Sequence, residues 1–198
     1  FAVLAYVILD GFDLGIGILF PFFSKRHDRD VMTNSIAPVW DVNETWLVLG
    51  GGGLMAVFPV AYATVLPALY MPIILMLLGL IFRGVAFEFR WRTTRGSIWW
   101  DWGFCIGSTI AAMMQGIALG ALVQGIQITN RAYSGGWWDW LTPFSLTTGL
   151  AVVIGYALLG ATWLNLKTVG ELQAKARTIS KVAAVATLAI IGVVSLWT

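Results

Sequence analysis

FAVLAYVILDGFDLGIGILFPFF, residues 1–23, is an apolar segment long enough to cross a lipid bilayer as a helix, and it contains two aspartates. Asp10 and Asp13 are three positions apart, so a helix places both carboxylates on one face. A carboxylate inside a bilayer costs about 3 kcal/mol and is rarely retained unless it has a partner or a function. Packing alone explains the pair less well, because one buried cation cannot neutralise two carboxylates. We therefore expect a membrane helix with a polar face that handles protons or ions.

The composition is typical of a membrane protein. Of the 198 residues, 59% are hydrophobic and 11% are charged, and the mean hydropathy is +0.82, which excludes an ordinary water-soluble domain. The single cysteine, Cys105, excludes an internal disulfide and a CxxC motif. The single histidine, His27, lies in a charged segment, so we expect no metal site and no haem ligation within this chain. A nucleic-acid partner is not expected either.

Charge-free stretches predict an all-α, polytopic transmembrane helix bundle that forms one domain over residues 1–198. The stretch 45–82 has no charged residue, and at about 1.5 Å per helical residue it is nearly twice as long as a bilayer core of about 30 Å requires. Pro59, Pro67 and Pro72 interrupt it, so we predict two helices joined by a turn at 64–67. About six spans result: 1–23, 44–63, 68–89, 98–124, 142–165 and 179–198.

Basic residues predict the orientation of the bundle. The loops near 24–43, 90–97 and 166–178, together with Lys181, carry ten of the twelve lysines and arginines. The other side, formed by the turn at 64–67 and the loop 126–140, carries only Arg131. Because cytoplasmic loops are enriched in Lys and Arg, these three loops are predicted to be cytoplasmic, and residue 1 is predicted to lie on the outer side.

The segment SIAPVWDVNETW, residues 35–46, places several polar residues at the cytoplasmic end of the second predicted span. Asp41 in this segment can begin a proton path that continues to Asp10 or Asp13, because buried carboxyl groups relay protons well. The alternative is that Asp41 only caps the helix. Arg83, in the third predicted span, is a candidate counter-ion for these aspartates.

Three further features have structural interpretations. Gln115 is predicted to form a hydrogen bond between helices. Asp101 is predicted to pair with Arg90 or Arg92 near the cytoplasmic end. The glycines at 50–53 and in the first span predict close approach of helices, with room for a ligand or water as the alternative.

Five motifs together resemble subunit II of the cytochrome bd-type quinol oxidases, including the cyanide-insensitive branch. They are DGFDLGIG (10–17), NSIAPVWDVNETWL (34–47), LIFRGVAFEFR (80–90), WDWG (100–103) and NLKTVGEL (165–172). The family's subunit II is considerably longer, so the chain resembles its amino-terminal part.

The resemblance implies a respiratory terminal oxidase that transfers electrons from quinol to oxygen and forms water. In this family, subunit I binds haem b and haem d, or haem b in place of haem d, and subunit II binds none of them. Subunit II supports the haem-bearing subunit and contributes to a cytoplasmic proton pathway. The implied partners are subunit I, a small accessory subunit, membrane lipid and quinol. The implied location is the cytoplasmic (inner) membrane of a bacterium or archaeon.

The resemblance also implies roles for individual residues. The family motifs make Asp41 the site of proton uptake, with Glu44 beside it, and place Asp10 and Asp13 further along the pathway. Arg83 tunes the charge of these carboxylates.

Some members also bind a structural quinone, ubiquinone or menaquinone, which would contact Trp40 and Asp41 here. Two positions depart from the family pattern: Gly84 replaces a proline of some members, and Glu44 replaces a glutamine of others. The additional carboxylate of Glu44 either strengthens proton uptake or adds only surface charge.

Two other functions remain as alternatives. A proton- or cation-coupled secondary transporter would use Asp10 and Asp13 as its site, but it predicts inverted repeats, and the half 98–198 has no intramembrane acidic pair to match them. A purely structural subunit would use the carboxylates only to dock its partner.

Overall fold

The computed structural model describes residues 1–93 and 97–198. Over these residues the chain forms eight α-helices, a one-turn 3₁₀ helix and one short antiparallel β-hairpin. The elements are α1 (Ala2–Leu19), the 3₁₀ helix (Phe20–Phe22), α2 (Arg26–Ile36), α3 (Trp40–Val57), α4 (Pro59–Ala68), α5 (Tyr70–Arg92), α6 (Ser97–Gln124), β1 (Ile128–Thr129), β2 (Ala132–Tyr133), α7 (Pro143–Lys167) and α8 (Gly170–Trp197). In the hairpin, Ile128 lies opposite Tyr133.

The predicted fold class, a polytopic helix bundle, is confirmed. Within the described part of the chain, five helices have the length and apolar composition needed to cross a membrane. They correspond to α1 with the 3₁₀ helix, α5, α6, α7 and α8. The sequence predicts about six spans, and the difference lies in the second one.

The predicted helix over 44–63 is divided in the structure. Its first part belongs to α3, which begins earlier, and its second part belongs to α4, which continues to Ala68. Phe58 separates them with φ −128° and ψ 60°, because the following Pro59 disfavours a helical residue before it. The predicted turn at 64–67 is therefore wrong, since the chain bends at Phe58 and Leu69 instead.

The predicted loops are shorter than expected. The loop 24–43 contains all of α2 and the start of α3. The loop 166–178 is reduced to Thr168 and Val169, because Gly170 adopts φ +73° and α8 begins there. In the loop 90–97, α5 continues to Arg92, and residues 94–96, which include Arg95, lie outside the described residues.

Helix α1 lies at the centre of the bundle, against α3, α6 and α7. Gly15 allows the closest contact, since a Cβ there would collide with the backbone of Tyr156 and Gly160 on α7. Close approach is thus confirmed for the first span. At Gly51–Gly53 on α3 a Cβ would meet no atom within 4 Å among the described residues, which favours the alternative of room for a ligand or water.

Ion pairs bring the basic segments to one end of the bundle, which we call the basic end. Lys25 contacts Glu171 at 2.7 Å, so the segment before α2 meets the start of α8. Arg29 on α2 contacts Asp101 on α6 at 2.8 Å. The hairpin and Trp137 lie at the opposite end, where the Trp137 ring is 6.0 Å from that of Tyr70.

Candidate functional site

Arg83 is the centre of a buried ion cluster. Its side chain is 1% exposed, although it sits in the apolar middle of α5. Its Nη1 donates to a carboxylate oxygen of Glu44 on α3 and lies 3.5 Å from Oδ1 of Asp10 on α1. The rings of Trp40 and Phe104 flank the guanidinium, with centroids 5.8 Å and 5.7 Å from Cζ. The cluster therefore joins three helices through one cation.

Asp13, three residues after Asp10 on α1, is held by the side-chain amide of Asn43. Its Oδ2 accepts a hydrogen bond of 2.7 Å from Nδ2 of Asn43, which also donates to the carbonyl oxygen of Leu9 at 3.2 Å. Asp13 is fully buried and Asn43 is 6% exposed. Asn43 thus holds α3 against α1 at the level of the two aspartates.

Burial increases along the carboxylates of α3 and α1. Asp41 is exposed in the first turn of α3. Glu44 follows one turn later, on the same face, and its side chain is 24% exposed. Asp10 is fully buried behind Arg83. The capping alternative for Asp41 is wrong, because the N-cap residue is Val39 and no side chain caps this helix.

Some polar atoms of the cluster have no hydrogen-bond partner among the described residues. They are Oδ2 of Asp10, Oδ1 of Asp13, and Nε and Nη2 of Arg83. Buried polar atoms in proteins are nearly always hydrogen-bonded, to water where no protein group reaches them. One guanidinium also faces three carboxylates. The arrangement is therefore suited to bind water and to hold exchangeable protons.

Comparison with known proteins identifies the family. The family model for cytochrome bd terminal oxidase subunit II matches residues 1–198. This chain belongs to that family. It is 37% identical to cytochrome bd-I ubiquinol oxidase subunit 2 of Escherichia coli over 203 residues, which cover 98% of this chain and 54% of the relative. It is 35% identical to cytochrome bd ubiquinol oxidase subunit 2 of Bacillus subtilis over 181 residues, which cover 89% and 53%. The chain spans about half the length of these curated relatives.

The two departures from the subunit II pattern both lie next to Arg83, Glu44 by contact and Gly84 in sequence. The departure at Glu44 supplies the carboxylate that Arg83 contacts, so it adds more than surface charge. A Cβ at Gly84 would lie 3.8 Å from the ring of Trp40, in ordinary contact. Trp40 itself is half-buried and packs on Phe87, with ring centroids 4.9 Å apart.

The name of the subunit II family implies haem in the complex, but the one histidine of this chain does not offer a fitting ligand site for it. Haem iron is held by ligands such as His, Met or Cys in an enclosed pocket. His27 is exposed on α2, and charged side chains, among them Lys25, Asp28 and Glu171, line the groove beside it. The described residues also contain no group of three or more His, Cys, Asp or Glu side chains that could hold a metal ion. We therefore assign no chemical step to haem within this chain.

A second ion cluster lies at the basic end. Asp101 accepts hydrogen bonds from Nε of Arg90 at 2.5 Å and from Nη1 of Arg29 at 2.8 Å. Arg90 also contacts Asp30 at 2.6 Å. The predicted pairing of Asp101 with Arg90 is confirmed, and the contact with Arg29 adds α2 to it. Two cations here meet two carboxylates, so the cluster is electrically balanced.

Aromatic rings lie between the two ion clusters. The Phe104 ring contacts those of Phe20 and Phe87, with centroids 4.9 Å and 5.9 Å apart. Arg83 lies beside Phe104, and Arg90 lies beside Phe20 at 5.7 Å. An apolar layer thus separates the balanced cluster from the carboxylates around Arg83.

The structure brings together the predicted residues Asp10, Asp13, Glu44 and Arg83, while Asp41 approaches only through its neighbour Glu44. Three residues of the site are missing from the sequence-based prediction: Asn43, Tyr6 and Tyr156. Tyr6 and Tyr156 contact Gln115, whose predicted interhelical hydrogen bond is confirmed. For Tyr6 the available signal is its position four residues before Asp10, on the same helix face.

Proposed function

We propose that this chain is part of the second subunit of a membrane-bound oxidase that transfers electrons from quinol to oxygen, and that its carboxylates form a cytoplasmic proton pathway. The names of the Escherichia coli and Bacillus subtilis relatives, both ubiquinol oxidase subunits, support the oxidase. The increase in burial from Asp41 through Glu44 to Asp10 carries the proposal of a pathway.

The pathway begins at Asp41. This carboxylate is exposed at the end of α3 that lies nearest the basic segments, so it exchanges protons with water. Glu44 is one turn further along the same face and is partly accessible. A proton therefore passes from Asp41 to Glu44 over a short distance, directly or through water.

Beyond Glu44 the proton reaches Asp10 and Asp13. Arg83 contacts both Glu44 and Asp10, so it holds the two carboxylates close together. Its guanidinium does not release a proton, and the relay uses the carboxyl groups and water bound to the unpartnered atoms. Asp13, held by Asn43, extends the site along α1.

The cluster around Asp101 is not the proposed pathway. Its carboxylate already accepts hydrogen bonds from two arginines, so both of its oxygens are engaged in structural contacts. The layer of Phe20, Phe87 and Phe104 also separates it from Arg83. We assign this cluster to holding α2 against α5 and α6.

The proposed location is the inner membrane, with the basic end in the cytoplasm. The loops predicted to be cytoplasmic, together with Lys181, carry ten of the twelve lysines and arginines, and the positive-inside rule places them in the cytoplasm. Phe1 then lies on the outer side, and Asp41 faces the cytoplasmic supply of protons.

The proposed main partner is subunit I, which holds haem b and haem d or a haem b in its place. Polar residues in a membrane must be covered by protein or water, and the partly exposed Glu44 needs such cover. Next to it, Gly51–Gly53 open into an apolar groove of about 800 Å³. The other proposed partners are a small accessory subunit, lipid and quinol. We also propose that a ubiquinone or menaquinone is bound at Trp40 and Asp41.

The test is the variant Asp41→Asn in the purified complex, with Asp28→Asn on α2 as the matched control. Quinol-driven oxygen uptake and the redox difference spectrum of the haems are measured on the same sample. We expect Asp41→Asn to lower oxygen uptake about tenfold or more with unchanged haem content, because a lost proton donor commonly costs this much. Asp28→Asn leaves both quantities unchanged.

Three outcomes contradict the proposal. Normal oxygen uptake by Asp41→Asn removes this residue from the pathway. Loss of haem from an otherwise intact complex shows that the carboxylate docks the partner. A colourless, inactive preparation of the wild-type complex removes the oxidase assignment and favours a transporter.

A further inference from the structure

Three buried polar side chains form a hydrogen-bonded chain next to Asp10. Nε2 of Gln115 on α6 donates to the hydroxyl oxygen of Tyr6 on α1 at 2.8 Å. The hydroxyl of Tyr156 on α7 donates to Oε1 of Gln115 at 2.6 Å. Tyr6 is 2% exposed and Tyr156 is 5% exposed. The chain thus links three helices within the core, and the proton pathway proposed above does not use it.

The hydrogen-bonded chain ends at Tyr6, and the carboxylate of Asp10 lies beside that end. Tyr6 lies four residues before Asp10 on α1, so both side chains are on the same face of the helix. The Tyr6 oxygen already accepts from Gln115, which leaves its hydrogen for another acceptor. Oδ2 of Asp10 is a buried acceptor without a hydrogen-bond partner among the described residues, and it belongs to the carboxylate beside this hydroxyl.

The orientation of the Gln115 side-chain amide is consistent with a Tyr6 hydroxyl that donates toward Asp10. With Gln115 donating to Tyr6, the two hydrogen bonds run in one direction, from Tyr156 to Gln115 and from Gln115 to Tyr6, so the Tyr6 hydrogen remains available to Asp10. The reverse orientation would make Tyr6 donate to Gln115 and turn a hydroxyl lone pair toward the carboxylate. The orientation with Gln115 donating to Tyr6 is therefore the one that stabilises the ionised form of Asp10.

Packing also fixes the position of the three hydrogen-bonded side chains. A Cβ at Gly11 would lie 2.8 Å from Cε1 of Tyr156, so the absence of a side chain at Gly11 lets the Tyr156 ring lie directly on α1. Gln115 is held at both ends of its amide by the two hydroxyls. A primary amide cannot pass a proton onward without changing to its imidic acid form, so the chain is suited to orient Asp10 and not to conduct protons.

We propose that Tyr6, Gln115 and Tyr156 are positioning residues that favour the ionised form of the Asp10 carboxylate and direct it toward Arg83. This inference rests on the proposed proton pathway, in which Asp10 is the buried carboxylate. Tyr6 supplies the direct donor, and the other two residues orient the Tyr6 hydroxyl.

The test compares Tyr6→Phe, Gln115→Met and Tyr156→Phe in the complete oxidase complex. Each variant keeps the shape of the side chain and removes its hydrogen bond. Tyr70→Phe, at an exposed tyrosine of α5, is the matched control. The pH profile of quinol-driven oxygen uptake is measured for each, together with haem content.

We expect the alkaline limb of the Tyr6→Phe profile to move to higher pH by about one unit, because a hydrogen bond to an ionised carboxylate is lost. Gln115→Met shifts the limb less and Tyr156→Phe least, in the order of their distance from Asp10 along the chain. Tyr70→Phe leaves the profile unchanged, and all four variants retain their haem.

A Tyr6→Phe profile identical to that of Tyr70→Phe overturns the inference. A loss of haem that is equal in the three variants, with no shift of the profile, also overturns it, since it shows a purely structural role. The infrared carboxyl band of the intact complex, assigned to Asp10 by its loss in Asp10→Asn, separates the two proposals. If Tyr6→Phe shifts this band while Asp41→Asn turns over normally, the positioning role stands and the pathway fails.

Discussion

Replacing Arg83 with methionine removes the one cation of the buried cluster while keeping a side chain of similar length. At the 3.5 Å between Arg83 and Asp10, the attraction is about 5 kcal/mol for an effective dielectric constant of about 20. Removing one partner of a buried ion pair costs about 3–5 kcal/mol, because a buried charge is left uncompensated. Glu44 adds less, since its side chain is 24% exposed and solvent screens it. We therefore expect Arg83→Met to lower the free energy of unfolding by about 3–5 kcal/mol.

The assay is denaturant unfolding of the purified complex in detergent, followed by tryptophan fluorescence, to which Trp40 beside Arg83 contributes. Arg92→Met, at the exposed end of α5, is the matched control and changes stability by less than about 0.5 kcal/mol. The double variant Arg83→Met with Asp10→Asn recovers a large part of the loss, because it leaves no unpaired charge at Asp10.

Two results refute this reasoning. If Arg83→Met costs less than about 1 kcal/mol, as an exposed ion pair does, the cluster is not desolvated as the structure indicates. If the double variant is as unstable as Arg83→Met alone, the cost comes from lost packing of the side chain and not from the charge of Asp10.

Two further predictions concern the contacts of α1. Gly15→Ala is expected to abolish assembly of the complex, because the added Cβ meets the backbone of Tyr156. The assay is the yield of haem-containing complex. The control Gly155→Ala, whose added Cβ points into open space, leaves this yield unchanged. Asn43→Leu is expected to lower the free energy of unfolding by about 1–3 kcal/mol, because Asp13 loses its hydrogen-bond donor; an unfolding titration equal to that of the wild type would remove this role.

The sequence predicts two of the apolar helices closely and the polar helical segments poorly. The spans 98–124 and 142–165 differ from α6 and α7 by only one or two residues at either end, because apolar length alone determines a membrane helix. Helix α2 and the first turns of α8 are charged, so the same criterion assigns them to loops. Their packing depends on contacts between residues far apart in the chain, such as that of Arg29 on α2 with Asp101 on α6 and the burial of Leu172 and Ala176 on α8.

The sequence predicts which charged residues belong to the candidate site, but it does not predict which side chains they contact. Asp10, Asp13 and Arg83 are conspicuous because ionisable residues in apolar segments are rare. Which carboxylate meets which donor depends on the rotation and height of each helix, and these follow from packing such as that at Gly15. Asn43 and Tyr6 therefore become recognisable only in the structure, although both are neighbours of predicted residues in the sequence.

The choice of arginine at position 83 follows from its contacts. Nη1 of Arg83 is shared by Glu44 and Asp10, and the guanidinium remains protonated at every pH relevant to the cell. In the proposed pathway, a proton taken up by Glu44 weakens its attraction for Nη1, and the ionised form of Asp10 gains the cation. When the proton moves on to Asp10, the cation returns to Glu44. A proton crossing between these carboxylates thus exchanges their ion pair without changing the charge of the cluster, which keeps the electrostatic cost of transfer low in an apolar environment.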